Sequence, residues 1–244
     1  MDKWFIEWFT SDEYSDVYAH RDEKDALNLV KLIAENIHTP KNSWLLDAAC
    51  GSGRYLNEFS KLGFQSIGFD LSMPLLKKAR ETSSKTGNNF SLINADMRNV
   101  CINKKFDLIL NVFTSFGYFY RDEENFKFIN NSSLMIKNSG FFIFDYLNKN
   151  YVINNLIKYS QKIVNNKKIE EFREISDGRV IKKMTIGTES GIKEYFESVK
   201  LYSPEEIIEG FKSAGYRLVK KFGNYSGDKF DEELSERFIV FFGR

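Results

Sequence analysis

The chain has 244 residues, 42% of them hydrophobic, enough to bury one large core or a core with an appendage. Lys and Arg total 35 against 34 Asp and Glu, so the net charge of +1 gives no global attraction to nucleic acid. No apolar run approaches the ~20 residues that span a membrane, and the charged start lacks the apolar stretch of a signal peptide.

The first twenty residues hold an aromatic cluster that includes Trp4, Phe5, Trp8, Phe9, Tyr14 and Tyr18. Residues 22–37 read as a helix, with Ala26, Leu29, Val30, Ile33 and Ile37 on one face. An alternation follows. Strand-like runs at 44–47, 65–70, 91–94, 106–111 and 141–146 are separated by helical runs at 53–62, 73–86 and 122–137. Continuous apolar strands between helices predict a parallel sheet covered on both faces. Cys50 and Cys101 are the only cysteines, too few for a disulfide framework. With no export signal, they are expected to be reduced in a cytoplasmic protein. Two histidines and two cysteines far apart in sequence also argue against a metal site.

Beyond residue 150 the pattern changes. Residues 168–176, 179–189 and 192–202 read as three strands, with Asp177 and Gly178 a strong hairpin signal and Ser190 and Gly191 a weaker one. Consecutive hairpins imply an antiparallel meander foreign to the parallel core. Ser203, Pro204 and Glu206 then open a helix to 214, and 216–222 and 237–242 read as two last strands. The expectation is a single α/β domain over 1–244. It comprises an N-terminal lid and helix at 1–37, a seven-stranded Rossmann-like sheet with an antiparallel last strand, and an inserted antiparallel sheet at 150–202.

Chemistry concentrates where the strands end. The first apolar run finishes in Asp47, Ala48, Ala49, Cys50, Gly51, Ser52 and Gly53, and a helix follows. Such a turn lets backbone approach a ligand, and ligands lie outside the carboxyl ends of strands in these sheets. Taken alone it is equally a plain strand-to-helix turn. Asp70 ends the second strand, where a carboxylate can accept both hydroxyls of a ribose. Asp96 ends the third strand, where it can accept from an adenine amino group, and Asn111 ends the fourth. Any one of these is more often a cap or turn residue. Four in succession on one rim are hard to assign to capping.

These segments resemble the motifs of class I S-adenosylmethionine-dependent methyltransferases, in particular the sugar N-methyltransferase and glycine N-methyltransferase-like group. The resemblance covers residues 40–146 in detail and the last two strands in outline. It implies S-adenosylmethionine as cofactor and S-adenosylhomocysteine as product. It places Gly51 and Gly53 against the methionyl and ribose part, and Asp47 at the loop and the cofactor ammonium. Asp70 would hold the ribose, Leu71 would pack on adenine, Asp96 and Met97 would read it, and Asn111 would face the methionyl amino group with its neighbours. Ala49 departs from the family, which often has glycine there, and implies a slightly tighter loop. A nicotinamide dinucleotide fits less well, because the third small residue of that fingerprint is replaced by Leu56.

Methyl transfer from a sulfonium is an in-line displacement, so alignment and exclusion of water matter more than a fixed triad. Candidates for the acceptor pocket are Tyr14, Tyr18 and His20 in the lid, and Ser115, Phe116, Tyr118 and Tyr146 after the fourth and fifth strands. His20 is either a base or a capping histidine. Arg21 either pairs with the cofactor carboxylate or is an exposed helix-start charge. Phe116 and Tyr118 either line the pocket or pack beneath the lid. The meander is expected to cover the pocket, with a homodimer contact as a further use. The expected partner is a small-molecule N or O acceptor, with neither nucleic acid nor membrane. The rivals are a nucleic-acid methyltransferase, a non-catalytic cofactor-binding module and a dehydrogenase.

Overall fold

The computed structural model describes residues 4–18, 23–188 and 191–244. Two short helices, α1 (Trp4–Thr10) and α2 (Glu13–Val17), precede α3 (Glu23–Asn36). The alternating part runs β1 (Trp44–Ala48), α4 (Arg54–Lys61), β2 (Gln65–Asp70), α5 (Met73–Thr86), β3 (Phe90–Asn94), β4 (Phe106–Asn111), α6 (Asp122–Ser132) and β5 (Ile136–Leu147). After α7 (Lys149–Asn154) come four strands: β6 (Tyr159–Val164), β7 (Lys167–Ser176), β8 (Arg179–Thr188) and β9 (Gly191–Lys200). The chain closes with α8 (Pro204–Ser213), β10 (Arg217–Phe222) and β11 (Arg237–Gly243).

The main sheet has seven strands in the order β10-β11-β5-β4-β1-β2-β3. Strands β1 to β5 are parallel, and β11 runs antiparallel to both β5 and β10. The central strands are apolar throughout because both faces are buried. Leu46, Ile109, Phe142 and Phe144 face one core, closed by Phe128 and Ile129 of α6 and Ile207 and Phe211 of α8. Their neighbours Leu45, Leu108, Leu110 and Ile143 face the other, closed by Leu29 and Ile33 of α3 and Leu56 and Phe59 of α4. The reversals at the carboxyl rim are built locally. The Ser72 hydroxyl caps α5 by accepting from Leu75 N–H at 3.3 Å. At α8, Ser203 and Glu206 form the reciprocal capping box.

The second sheet is wholly antiparallel, in the order β6-β7-β8-β9. Asp177 and Gly178 turn its second hairpin with φ values of 51° and 68°, both left-handed as a type I′ turn requires. Its inner face, with Ile169, Met184 and Ile186, packs on Trp4, Phe5, Trp8 and Val17, so the first two helices and this sheet share a third core.

Three elements differ from the sequence expectation. The helix begun at Asp122 stops at Ser132, not 137, because the turn from Ser132 to Met135 leads directly into β5. The meander has four strands, not three. In β6 the usual alternation is inverted, with Ile163 at 76% and Tyr159 at 45% exposure while Lys162 reaches inward to the Val17 carbonyl. The aromatic start, which the sequence marks only as a cluster, forms two short helices.

Candidate active site

A cavity of about 780 Å³ opens at the carboxyl rim of β1 and β2, and residues of α1, α2 and the inserted sheet also line it. That volume lies within the ~300–1,000 Å³ typical of small-molecule sites. Asp70 organises one end. Its Oδ2 accepts the Gly51 amide and its Oδ1 the Ser72 amide, each at 2.8 Å. The carboxylate thus fixes both the glycine turn and the start of α5, and each oxygen keeps a further lone pair. Burial pushes its pKa up, against these backbone bonds. The Ser72 hydroxyl donates to the Phe9 carbonyl at 2.6 Å, anchoring α1 over the same corner.

Asp47 is wholly buried, and its Oδ2 has no hydrogen-bond partner among the described residues. Burial first, then the neighbouring Asp70 charge, pushes its pKa up to about 7, with Arg54 pulling the other way. An orphaned carboxylate oxygen on a cavity wall is a receptor for a cation or a strong donor. Leu71, next to Asp70, and Ala95 and Met97, on either side of Asp96, form an apolar slot on the same wall. Asp96 borders the slot and is clasped by Arg98, whose Nη2 stands 2.6 Å from Oδ2. Burial works against the Asp96 charge, but the Arg98 hydrogen bonds prevail and hold its pKa below the usual value. The residues present therefore fit an adenosyl group carrying an ammonium: Asp70 for the ribose, the slot for the base and Asp47 for the cation.

Of the residues anticipated here, Asp47, Ala49, Gly51, Asp70, Leu71, Asp96 and Met97 all line the cavity. Ala49 is left-handed at φ 60°, a conformation that costs a residue with Cβ about 1 kcal/mol. Gly53 is not on the wall. It starts α4 at φ 78°, and a Cβ there would stand 3.0 Å from Ala79 Cβ, so this glycine lets α4 and α5 approach. Asn111 is also off the wall and staples the loop from behind, donating to the carbonyls of Ala48 at 3.3 Å and Ser115 at 3.2 Å.

Tyr14, Tyr18, Ser115 and Tyr118 reach the cavity, whereas Phe116 and Tyr146 do not. Phe116 is buried against Phe126, Phe144 and Tyr202. Tyr146 is fully buried and donates its hydroxyl to the Lys200 carbonyl. Both are core residues that hold the strand ends together. His20 and Arg21 lie outside the described residues. Cys50 is a small residue of the loop wall, and burial pushes its thiol pKa well up. Among the described residues no cluster of His, Cys, Asp and Glu has the makings of a metal site.

The inserted sheet contributes residues that the sequence did not single out. Glu197 on β9 lines the cavity and accepts Trp8 Nε1 at 2.5 Å and the Tyr18 hydroxyl, while Lys182 on β8 pairs with it at 2.6 Å. Arg173 on β7 and Arg237 at the start of β11 also reach the wall. An inward charge on a strand shows in a sequence only once the strand's facing is known, and here the register alone supplies it.

A parallel sheet with one antiparallel strand, a glycine turn after β1 and acids closing β1 and β2 set the cavity where sheets of this kind hold their ligands. Residues 45–140 match the family described as methyltransferase domain. A dTDP-3-amino-3,4,6-trideoxy-alpha-D-glucopyranose N,N-dimethyltransferase of Streptomyces venezuelae is 37% identical over 86 residues, 35% of each chain. The chain thus matches about a third of the length of that curated relative. An S-adenosylmethionine-dependent methyltransferase from Clostridium acetobutylicum superposes with a TM-score of 0.81 at 22% identity, covering 95% of both chains. A methyltransferase from Streptomyces caelestis gives 0.81 at 15% identity over 97% of both. The fold, including the inserted sheet, is therefore shared along nearly the whole chain.

Proposed function

We propose that the chain is an S-adenosylmethionine-dependent methyltransferase that acts on a small-molecule N or O acceptor. The observation that carries this reading is the joint placement of Asp47, Asp70 and Asp96 around one cavity, with Asp70 already ordering the glycine turn through Gly51. When bound, the cofactor supplies a methyl group on a sulfonium, activated for in-line displacement. The chain's own residues bind, align and exclude water. Asp70 orients the ribose and Asp47 takes the ammonium. Tyr14, Tyr18 and Tyr118 form a wall against which a small acceptor is held, and α1 and α2 cover it.

The matched relative is a sugar N,N-dimethyltransferase, which supports a small acceptor over a nucleic acid, as does the near-zero net charge. No helix among the described residues is long and apolar enough to cross a membrane, which accords with a cytoplasmic role. A homodimer through the inserted sheet belongs to the same reading, since Tyr159, Ile163 and Phe172 stand exposed on its outer face. Sedimentation would test that contact.

The test of the function is calorimetric titration with S-adenosylhomocysteine, with NAD as control. It is followed by transfer of isotopically labelled methyl to a panel of amines, hydroxy acids and aminosugars. Micromolar binding of S-adenosylhomocysteine alone is expected. Binding of NAD, or of neither ligand, would sink the reading.

A further inference from the structure

Beyond the residues placed above, six aliphatic side chains line the same cavity. They are Leu147 at the end of β5, Val152 on α7, Leu156 and Ile157 in the segment that follows α7, Val180 on β8 and Val199 on β9. None of the six is buried, and Ile157 is 67% exposed. Leu147 and Val199 touch the first core at one side, whereas Val152, Leu156, Ile157 and Val180 pack into none of the three cores. Aliphatic surface gathered on a cavity wall, and not scattered over the outside, gains free energy when a ligand displaces water from it.

The strand register orders this wall. Val180 and Val199 are direct cross-strand partners, so both side chains leave the sheet on one face. Two residues along each strand, Lys182 and Glu197 are partners on that same face, with Arg173 opposite Lys182. All five line the cavity, so an apolar row lies beside a charged row. The charges are already compensated, Lys182 by Glu197 at 2.6 Å and Arg173 by Glu171. Nothing in that row calls for a strongly ionic ligand, and the apolar row beside it calls for hydrocarbon.

The wall is held before any ligand arrives. Asn148 Nδ2 donates to the carbonyls of Glu232 at 2.8 Å and Ser235 at 2.7 Å, which fixes the start of α7. The Arg173 backbone N–H donates to the Lys158 carbonyl at 2.8 Å, and its Nη1 donates to the Ser160 hydroxyl at 2.9 Å. These bonds strap the segment that carries Leu156 and Ile157 to β7. Apolar surface that is already ordered loses little entropy on binding.

We propose that the methyl acceptor has an aliphatic body, held by Val152, Leu156, Ile157, Val180 and Val199, with its polar end toward Lys182 and Glu197. This rests on the methyltransferase reading above and narrows the acceptor from any small amine or alcohol to an amphipathic one.

The test is calorimetric titration with two homologous series, the straight-chain primary amines and alcohols from butyl to octyl, without and with saturating S-adenosylhomocysteine. In at least one series, affinity is expected to rise about threefold per methylene, or about 50–100-fold from butyl to octyl. Saturating S-adenosylhomocysteine should leave that rise in place. The double variant Leu156→Ser, Ile157→Ser should cut the butyl-to-octyl ratio to about tenfold or less. Its affinity for S-adenosylhomocysteine should stay within about twofold, which also shows that it has folded. Val180→Thr, of nearly equal volume, should weaken octyl binding about threefold. Ile163→Ser, on the outer face of β6, should change nothing. Affinity independent of chain length in both series would overturn the proposal and leave the cofactor reading standing. So would octyl binding that S-adenosylhomocysteine displaces, or a chain-length dependence that survives in the double variant or is lost only in Ile163→Ser. Chain-length dependence in a protein that does not bind S-adenosylhomocysteine would sink the methyltransferase reading, and with it the identity of the occupant as a methyl acceptor.

Discussion

Arg179 on β8 donates from Nη2 to the carbonyl of Gly117 at 2.9 Å, and so ties the inserted sheet to the loop that follows β4. The same guanidinium reaches the carbonyls of Tyr118 at 3.1 Å and Phe119 at 3.2 Å, and the Ser198 hydroxyl at 2.6 Å. Burial pulls its pKa down, so the cation is held by oriented carbonyl dipoles in place of water. Tyr118 and Phe119 line the cavity, which makes Arg179 a positioning residue for that wall.

Removing this cation strands several buried carbonyls at once. Arg179→Met should lower unfolding stability by about 2–4 kcal/mol, measured by urea titration. Arg179→Lys, with a single point of charge, should recover less than half of it. Stability unchanged in the methionine variant would mean that the loop finds other partners.

Asp70 holds the Gly51 and Ser72 amides, and the proposed ribose contact adds a second role that the amide variant separates from the first. Asp70→Asn retains one acceptor oxygen but loses the charge and one acceptor. Affinity for S-adenosylhomocysteine should fall by about 1–3 kcal/mol, read by calorimetry. Undiminished affinity would remove the ribose assignment.

The raised pKa of Asp47 sets a pH dependence whose sign can be worked out. The folded chain holds this proton up to about pH 7, whereas an unfolded aspartate releases it near 3.8. Between those values the folded state binds more protons, so stability falls as pH rises, by up to about 4 kcal/mol in all. Asp47→Asn should therefore be the more stable chain at pH 8, and the advantage should vanish below pH 4. Ligand binding that pairs Asp47 with an ammonium favours its ionised form. At pH 6, titrations in buffers of different ionisation enthalpy should show proton release, which disappears by pH 8.5.

The cover formed by α1 and α2 is tied electrostatically to the inserted sheet. Glu13 meets Lys193 at 2.7 Å and the Tyr195 hydroxyl at 2.8 Å, and Asp16 meets Lys167 at 2.7 Å. Burial opposes the Glu13 charge, but the bonds to Lys193 and Tyr195 win and hold its pKa below 4.5. Its contribution is present above that value and is lost as pH falls through the lowered one. The double variant Glu13→Gln, Asp16→Asn should loosen the cover by about 1 kcal/mol. Hydrogen exchange of residues 4–18 should rise about fivefold at neutral pH and change little at pH 3.

Most of the main sheet was legible because its strands are short apolar runs ending in Asp47, Asp70 and Asn111, and the pattern of a twice-covered strand is unambiguous. The acids on the cavity wall were legible for the same reason, since Asp47 and Asp70 close strands that the pattern had already located. The other end was not. Tyr146 and Phe116 sit one side away from the cavity, and position after a strand does not say which way an aromatic turns. Lys182, Glu197 and Arg237 resemble solvated strand charges until β8, β9 and β11 are placed. In β6, apolar Ile163 faces outward and Lys162 inward, which defeats any reading by alternation.

Glu197 receives Trp8 from α1, Tyr18 beyond α2 and Lys182 from β8, and its own side chain borders the cavity. Roof and wall thus share a keystone. A substitution at this one position alters which molecules gain access and which of them fit once inside. A change in what the cavity takes would therefore proceed by paired changes in residues 4–18 and in β9, and seldom by either alone.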